Sequence, residues 1–471
     1  MKYLAGIYSA FVWGSGQLLN KQKLKALIFF LFQTAFVSIE ILTAPVWRQA
    51  AADSLGQGAF QWDFYFSRIQ HYLSDIQDYG FHFYGFFTKN LWGLFTLGKN
   101  ARTYNEEGGI FNPIYDHSIV LMLGGIIALC VLALFIAIWV WNIRDAYKTR
   151  VKLDGGAKIT SIDWFKALWK ERFEMIMITP GMLMVIFISI VPIIFAILVA
   201  FTNYNANFIP PRRLVEWKGF ETFGSIFGMK IWGLTFLKIF IWTVVWAFLA
   251  TFTAYAFGLF QALVLRSKVV KARQVWRAIF ILPWAVPGLV SMLIFKVMLN
   301  QEGAINQLLL KAGLISEAIP FLSNTWWARA CLIIVNIWLG FPYFMALISG
   351  VLTTIPQEQY EAAQIDGANT LQQFRSITLP FIFASTAPQL LMSVTFNFNN
   401  FNMIYFLTGG GPANPSLQMA GDTDILISWI FKLTLDQRMY NYASALSIMI
   451  FIIVASVSAW NLLRTRAFKE N

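Results

Sequence analysis

The chain has 471 residues, of which 58% are hydrophobic and only 13% are charged. Soluble domains carry roughly 25% charged residues, so this composition excludes an ordinary soluble protein and indicates an integral membrane protein. The formal net charge of +12 would suggest nucleic-acid binding in a soluble protein. Here the Lys and Arg residues flank apolar segments, so the positive-inside bias of membrane proteins explains them better.

Eight segments are long and apolar enough to cross a membrane, which takes about 20 residues in a helix. The sequence therefore predicts an all-α, polytopic membrane protein with about eight transmembrane helices, at 26–46, 118–141, 174–201, 234–264, 276–299, 328–350, 380–407 and 443–463. The apolar stretch 4–19 is shorter and is interrupted by Gly14 and Gly16. We expect it to be an interfacial or re-entrant segment.

Basic residues concentrate in the loops 142–173 and 265–275 and in the tail, where Arg464, Arg466 and Lys469 lie. Such loops face the cytoplasm, so we expect them and both termini on that side of the cell membrane. The insertion 47–117 then lies outside the cytoplasm. We divide the chain into an N-terminal membrane region, 1–170, with two spans, and a transmembrane domain, 171–471.

The polar segment 355–380 lies between spans six and seven, on the cytoplasmic side, yet it is acidic. Glu358, Glu361 and Asp366 outnumber its single basic residue, Arg375. A loop that faces anionic lipid would favour Lys and Arg. The acidic, helix-prone sequence therefore predicts a surface that docks on another protein.

Spans six and seven carry matching polar patterns. In each span four residues recur at i, i+3, i+4 and i+7, which predicts one helix face: Asn336, Leu339, Gly340 and Tyr343, and Ser393, Phe396, Asn397 and Asn400. Amides, a hydroxyl and aromatic rings suit a neutral, polyhydroxylated ligand. The alternative is that the asparagines form hydrogen bonds between membrane helices.

Span five contains Pro283, Pro287 and Gly288, which predict a break or kink, with a gating role and a static role both open. No GxxxxGK[ST] phosphate-binding loop occurs, so the chain is not expected to hydrolyse ATP. It is not expected to be an enzyme, because HExxH and GxSxG motifs do not occur and the spans almost lack the paired ionisable residues that an intramembrane enzyme needs. His71, His82 and His117 lack metal-ligand spacing. We expect no metal and no cofactor in this chain.

Six motifs carry a resemblance to a known family. Glu361-Ala362-Ala363, followed by Gly367 and by Ile377-x-Leu379-Pro380, resembles the EAA loop of ABC-importer permeases. From about residue 170 to the C-terminus the chain resembles the MalF-type maltose/maltodextrin permease, with its MetI-like core, through ILPWAVP (281–287), NIWLGFPY (336–343), FNFNNF (396–401), LTGGGP (407–412) and AGDTDILIS (420–428).

The resemblance implies a permease subunit of an ATP-driven carbohydrate importer, with maltose or maltodextrins as the expected cargo. Galacto-oligosaccharides or another glycan are the alternative, and an ion-coupled sugar carrier is a more distant one. It implies a second permease of the MalG type, two ABC ATPase subunits and a sugar-binding lipoprotein as partners. It assigns sugar contacts to the two helix faces above, and ATPase coupling to Glu361, Ala362, Ala363 and Gly367.

One departure from the family concerns the loop between spans three and four. The best-known members carry a large folded extracytoplasmic domain there, whereas this chain has only about 202–233. The contacts that this domain makes with the binding protein in those members are therefore not expected in this chain. In lacking this domain the chain resembles Gram-positive permeases, whose binding protein is lipid-anchored.

Overall fold

A computed structural model describes residues 2–55, 61–74, 84–99, 101, 116–157, 159–160, 162, 166, 169–170, 173–267 and 269–464. Within these ranges the chain is helical, and extended pairing is limited to isolated bridges, of which Thr202 with Trp217 is one. The all-α prediction is confirmed. Two compact units form, one from the described residues up to Thr222 with those from Ile452 onward, the other from Phe223–Phe451. The predicted division at residue 170 stays a prediction.

The first unit contains nine helices among its described residues. They are α1 Lys2–Phe11, α2 Ser15–Leu19, α3 Lys23–Leu42, α4 Pro45–Leu55, α5 Trp62–Ser74, α6 Phe86–Thr96, α7 Ser118–Asp154, α8 Phe173–Val185 and α9 Val191–Val199. A π-helical turn, Ile186–Ile190, joins α8 to α9.

Two predicted loops of this unit are partly helical. In the basic segment 142–173, α7 continues to Asp154 and ends where Gly155 and Gly156 follow, while its predicted cytoplasmic location stays a prediction. The insertion 47–117 contains α4, α5 and α6. Its remainder, at 56–60, 75–83, 100 and 102–115, lies outside the described residues, as do His82, Lys158, Arg172, Lys268, Arg466 and Lys469.

The N-terminal stretch 4–19 folds as a helical hairpin, α1 and α2. Gly14 makes the turn at φ 85°, where a Cβ would lie 2.2 Å from the carbonyl oxygen of Ala26, so only glycine fits. The hairpin keeps its small and polar residues inside and its large apolar residues outside, including Tyr3, Leu4, Ile7, Tyr8 and Phe11. This arrangement suits an apolar surrounding rather than water.

Inside the hairpin, buried polar groups join α1 and α2 to α7. Ser9 Oγ donates to Gln17 Oε1 at 2.9 Å, and Asn142 Nδ2 donates to the backbone oxygen of Ser9 at 2.7 Å. Beside them, Lys25 Nζ of α3 pairs with Asp145 Oδ1 of α7 at 2.6 Å. Because buried polar groups are costly when unpaired, this network fixes the hairpin against α7.

The second unit has a packed core of its own. Its helices are α10 Glu221–Gly228, α11 Lys230–Arg266, α12 Arg273–Ala285, α13 Gly288–Met298, α14 Ala304–Lys311, α15 Thr325–Thr354, α16 Gln357–Ile365, α17 Thr370–Gln373, α18 Leu379–Phe398, α19 Phe401–Leu407, α20 Leu426–Leu435 and α21 Tyr440–Arg464, the last extending beyond the unit. A π-helical turn, Phe374–Thr378, joins α17 to α18.

Helices α11 and α15 pack closely along their length. Gly258 of α11 permits this approach, because a Cβ there would lie 2.6 Å from the Cβ of Phe344. One buried cluster near the start of α15 includes Trp246, Leu332 and Ile404, and a second, near its end, includes Tyr255, Met345, Ile348, Ile382 and Leu390. These clusters hold the polar groups of α15 and α18 in fixed positions.

Six helical stretches of the described chain are long and apolar enough to cross a membrane: Lys23–Leu42, Ser118–Asp154, Phe173–Val199, Lys230–Arg266, Thr325–Thr354 and Thr370–Phe398. A seventh is added if α12 and α13, bent by 87° at a short break, count as one span. The helix at the eighth predicted position has a described apolar part, Tyr440–Ser456, that is shorter than a span. The predicted count of eight is therefore not confirmed.

The segment between α19 and α20 is tied to its neighbours by hydrogen bonds and one buried ion pair. Asp424 is fully buried and accepts from Lys432 Nζ at 2.6 Å and from the backbone nitrogen of Gly421 at 2.7 Å. Gly410, at φ 76°, passes so close to Asp424 that a Cβ would overlap its carboxylate. Arg329 of α15 donates to the backbone oxygen of Asp422 at 2.8 Å.

Candidate functional site

A cavity of about 590 Å³ lies in the second unit, bordered by α11, the α12–α13 break, α15, α18 and α19. The structure brings all eight residues of the two predicted polar faces to its wall: Asn336, Leu339, Gly340, Tyr343, Ser393, Phe396, Asn397 and Asn400. No Asp, Glu, Lys, Arg or His stands among the described residues that line it. Its volume is in the usual range for a small-molecule site, and its lining suits an uncharged ligand.

The residues of the α15 wall are positioned by contacts with α11 and α18. Asn336 is buried, and its Nδ2 donates to the backbone oxygen of Ala250 on α11 at 2.8 Å. The hydroxyl of Tyr343 donates to Gln389 Oε1 of α18 at 3.1 Å. Gly340 lies against Ala254, where an added Cβ would come within 3.2 Å of the alanine Cβ. The glycine thus serves the close packing of α15 on α11 as well as lining the cavity.

The α18 wall differs from the predicted helix face. Helix α18 ends at Phe398, and Asn400 is the N-cap of α19, with its Oδ1 accepting from the backbone nitrogen of Met403 at 3.3 Å. The prediction of one continuous helix through 400 was wrong. Asparagine side chains compete with the backbone for hydrogen bonds and favour caps over helix interiors, which accounts for the break.

Asn397 is held from two sides. Its Nδ2 donates to Thr251 Oγ1 of α11 at 2.9 Å, and its Oδ1 accepts from Asn400 Nδ2 at 3.3 Å. Its backbone oxygen accepts from Trp246 Nε1 at 3.0 Å. The alternative interpretation, that asparagines join the helices, therefore holds for the amide nitrogens of Asn397 and Asn336.

Other polar and aromatic groups at the cavity are less engaged. Ser393 Oγ and Asn336 Oδ1 make no hydrogen bond with the described part of the protein, and neither atom is buried without a partner. The ring of Phe396 is 69% exposed. The cavity therefore offers a hydroxyl, an amide oxygen and an aromatic face, which is the chemistry that a sugar needs.

The four residues of the predicted coupling site lie in and just after α16, away from the cavity lining. Glu361 and Ala362 are exposed and Ala363 is half-buried. Gly367 follows the helix at φ 80°, with open space where a Cβ would be, so the turn rather than crowding requires glycine. Ile365, in the same helix, is 86% exposed. An exposed helix that mixes acids with apolar side chains is typical of a docking surface.

Comparisons with known proteins identify the family of this chain. The family described as "Binding-protein-dependent transport system inner membrane component" matches residues 254–467. The galactooligosaccharides transport system permease protein GanP of Bacillus subtilis is 35% identical over 97% of this chain and 96% of its own length. The maltodextrin transport system permease protein MdxF of the same organism is 36% identical over 80% and 86%.

The chain belongs to this family of ABC-importer permeases. It is a multi-pass membrane component of a sugar importer, and its resemblance to the MalF type is confirmed. The Escherichia coli maltose/maltodextrin permease MalF is 37% identical to it over 269 residues, which cover 56% of this permease and 52% of MalF. A crystal structure of a bacterial ABC transporter involved in the import of the acidic polysaccharide alginate matches with a TM-score of 0.52 and 22% identity, over 65% of this permease and 99% of that chain. This match shows a shared fold.

The sequence patterns missed one wall of the permease cavity. Pro283, Trp284, Val286, Pro287 and Gly288, at the α12–α13 break, all line it. The kink itself was predicted from the two prolines and is confirmed by the 87° bend. A break in an otherwise apolar span is a signal for such a wall, since irregular backbone at membrane depth is tolerated where it borders protein or a cavity.

Proposed function

We propose that this permease moves neutral oligosaccharides through the 590 Å³ cavity, with maltodextrins as the first candidate cargo. The uncharged lining carries the proposal, because eight residues from two separate chain segments supply amides, a hydroxyl and rings but no charge. An anionic cargo would call for a basic residue at the wall. We expect the sugar to be moved unmodified, since the described residues of the wall include no acidic or basic side chain.

Galacto-oligosaccharides are the second candidate. GanP matches nearly the full length of this chain, and its sequence identity of 35% is almost the same as the 36% of MdxF. Both sugar classes present hydroxyls and apolar C–H faces to the same groups, so the cavity chemistry favours neither. A panel of maltodextrins and galacto-oligosaccharides, titrated onto the cognate binding protein and then tested for uptake, separates the two.

We further propose that α16 docks on one of two separate ATPase subunits and transmits their closure to α15 and α18. The acidic, exposed surface around Glu361 supports this, and the helix follows α15 directly and leads through α17 into α18. A second, MalG-type permease would complete the passage, and a lipid-anchored sugar-binding protein would deliver cargo, as in a Gram-positive cell. Both termini would then face the cytoplasm.

Uptake by the reconstituted complex tests these proposals. Liposomes that hold both permeases and the ATPases, supplied with binding protein, should accumulate labelled oligosaccharide only when ATP is present. Permease pairs without ATPase should not accumulate sugar under a proton or sodium gradient. Gradient-driven uptake in that second preparation would replace the ABC mechanism with an ion-coupled carrier.

A further inference from the structure

A second cavity, of about 630 Å³, lies in the second unit between α11, α15 and the segment that joins α19 to α20. Among the described residues, none lines both this cavity and the one of 590 Å³. We call it the α11–α15 groove. Its main walls are formed by Lys238, Trp242, Val245 and Leu249 on α11 and by Arg329 and Ile333 on α15.

The groove has a basic end and an apolar end. The guanidinium carbon of Arg329 lies 4.1 Å from the ring centroid of Trp242, and Lys238 precedes Trp242 by about one turn of α11. In the other direction along α11 the wall consists of Val245 and Leu249, which are 40% and 46% exposed. A ligand that fits must therefore join a polar, anionic head to a long apolar part.

The length of the groove matches one leaflet of a membrane. From Lys238 to Leu249 the helix rises by about 16 Å, which is close to half of the ~30 Å hydrocarbon thickness of a bilayer. Beyond Leu249, Asn336 of α15 donates to the backbone oxygen of Ala250 at 2.8 Å, so the two helices meet there and close the groove. A membrane-spanning helix of a partner would need a face that continues through both leaflets, whereas an acyl chain needs only one.

Two carboxylates also border the groove, and both are already engaged. Asp424 pairs with Lys432 at 2.6 Å. Asp422 accepts from Asn414 Nδ2 at 2.6 Å and from Thr325 Oγ1 at 2.5 Å. With Lys432 included, three cations stand against two carboxylates, so this end of the groove keeps an excess of positive charge.

The two basic side chains of the groove have donors that the protein does not use. Lys238 is exposed and makes no hydrogen bond or ion pair with the described part of the chain. Arg329 donates through Nε and Nη2 to the backbone oxygen of Asp422, which leaves its Nη1 without an acceptor among the described residues. Arginine and lysine donors together suit a phosphate group.

We propose that the α11–α15 groove binds one anionic phospholipid, with its phosphate at Lys238 and Arg329 and an acyl chain along Val245 and Leu249. Basic pockets between transmembrane helices bind anionic headgroups in this way. Trp326 also lines the groove and is 76% exposed, as is typical of an indole at the level of the headgroups. The proposal does not depend on which cargo the other cavity takes.

The test titrates the complete importer, purified in detergent, with phosphatidylglycerol or with phosphatidylcholine of the same acyl chains, and native mass spectrometry counts the bound lipid. One phosphatidylglycerol should bind more tightly than phosphatidylcholine. Lys238→Gln should weaken this binding about fivefold, the loss expected for one charge near a phosphate. Lys230→Gln removes an exposed lysine of the same helix that does not line the groove, and it should change nothing.

A second pair of variants examines the apolar part. Val245→Trp fills the groove and should abolish the tight binding, whereas Leu237→Trp, at a position that is 52% exposed but outside the groove, should preserve it. Phosphatidylglycerol with a photoreactive group on its acyl chain should label the segment 245–249. If Val245→Trp fails to assemble, Lys238→Gln still decides.

Three results would overturn the proposal. One is the absence of a preference for phosphatidylglycerol. Another is an equal effect of Lys238→Gln and Lys230→Gln, which would indicate an unspecific lipid belt. The third is a photoreactive lipid that labels other subunits of the importer but not 245–249, which would indicate that a partner subunit covers the groove.

Discussion

The hydroxyl of Tyr360 lies 2.9 Å from Thr378 Oγ1, and this hydrogen bond joins the exposed helix α16 to the turn that leads into α18. The same phenol ring packs against the buried cluster around Met345 and Ile348, and the guanidinium of Arg266 lies 5.2 Å above it. Tyr360 directly precedes Glu361. A force on the predicted coupling residues thus reaches the core through a side chain adjacent to them.

Tyr360→Phe should weaken coupling without preventing assembly. The ring and its packing remain, but the hydrogen bond to Thr378, worth about 0.5–1.5 kcal/mol, is lost together with the longer bond that Arg266 Nη1 donates to the phenol at 3.5 Å. We expect fewer sugar molecules to be moved per ATP hydrolysed, measured in liposomes with both rates followed in parallel. Thr378→Val should have a similar effect, and the double variant should be no worse than Tyr360→Phe alone. An unchanged ratio in both single variants would show that this bond does not transmit the movement.

Glu361→Lys should abolish uptake and release the ATPase. The substitution reverses the charge of an exposed residue in an acidic helix, so it replaces attraction to a basic partner surface by repulsion. Copurification of the ATPase with the permease measures attachment directly. Glu317→Lys makes the same charge change in the exposed loop between α14 and α15 and should leave the ATPase bound. Normal uptake by Glu361→Lys would contradict the assignment of Glu361 to ATPase coupling.

Variants at Ser393 and Asn397 should distinguish a loss of ligand contact from a loss of helix packing. Ser393 Oγ has no partner in the described chain, so Ser393→Ala should raise the KM for sugar about 2–12-fold and leave the melting temperature unchanged. Asn397→Ala removes the bond to the buried Thr251 and should also destabilise the permease by about 1–3 kcal/mol. Transport assays and thermal melts of the purified protein give the two readouts. Wild-type KM values in both variants would favour a purely structural role.

The contrast between Asn400 and the α15 residues shows what a sequence pattern can predict. Asn336 and Tyr343 lie within an unbroken 30-residue helix, so their spacing translates directly into one face. Asn400 reaches the same cavity by a different route, because its side chain caps α19 after α18 has ended. The helical spacing thus grouped residues that do line one cavity, although Asn400 does not lie on the same helix as Ser393, Phe396 and Asn397.

The cavity wall at Trp284 could not be predicted from the sequence pattern alone. The prolines predict that the helix breaks, but the direction of an 87° bend depends on what α13 packs against. Met292 of α13 belongs to the same buried cluster as Leu332 of α15 and Ile404 of α19. These contacts join distant parts of the chain, and no local pattern encodes them.

The ion pair between Lys432 and Asp424 gives a prediction with a defined pH dependence. Lys432→Met leaves a fully buried carboxylate without its cation, which should destabilise the permease by about 3–5 kcal/mol. Lys218→Met breaks the exposed pair with Glu216 and should change the stability little, so it serves as the control. Burial already raises the pKa of Asp424, against the opposing effect of Lys432, and removal of the lysine should raise it further.

A folded-state pKa above the unfolded value means that the charged form is penalised in the fold. This penalty is fully present at a pH above the folded-state pKa and disappears as the pH falls through it towards the unfolded value, where Asp424 is protonated in both states. The difference in melting temperature between wild type and Lys432→Met should therefore narrow on acidification, while that of Lys218→Met should stay small throughout. Thermal melts over a pH series measure both differences, and a gap that widens at low pH would contradict the assignment of the penalty to Asp424.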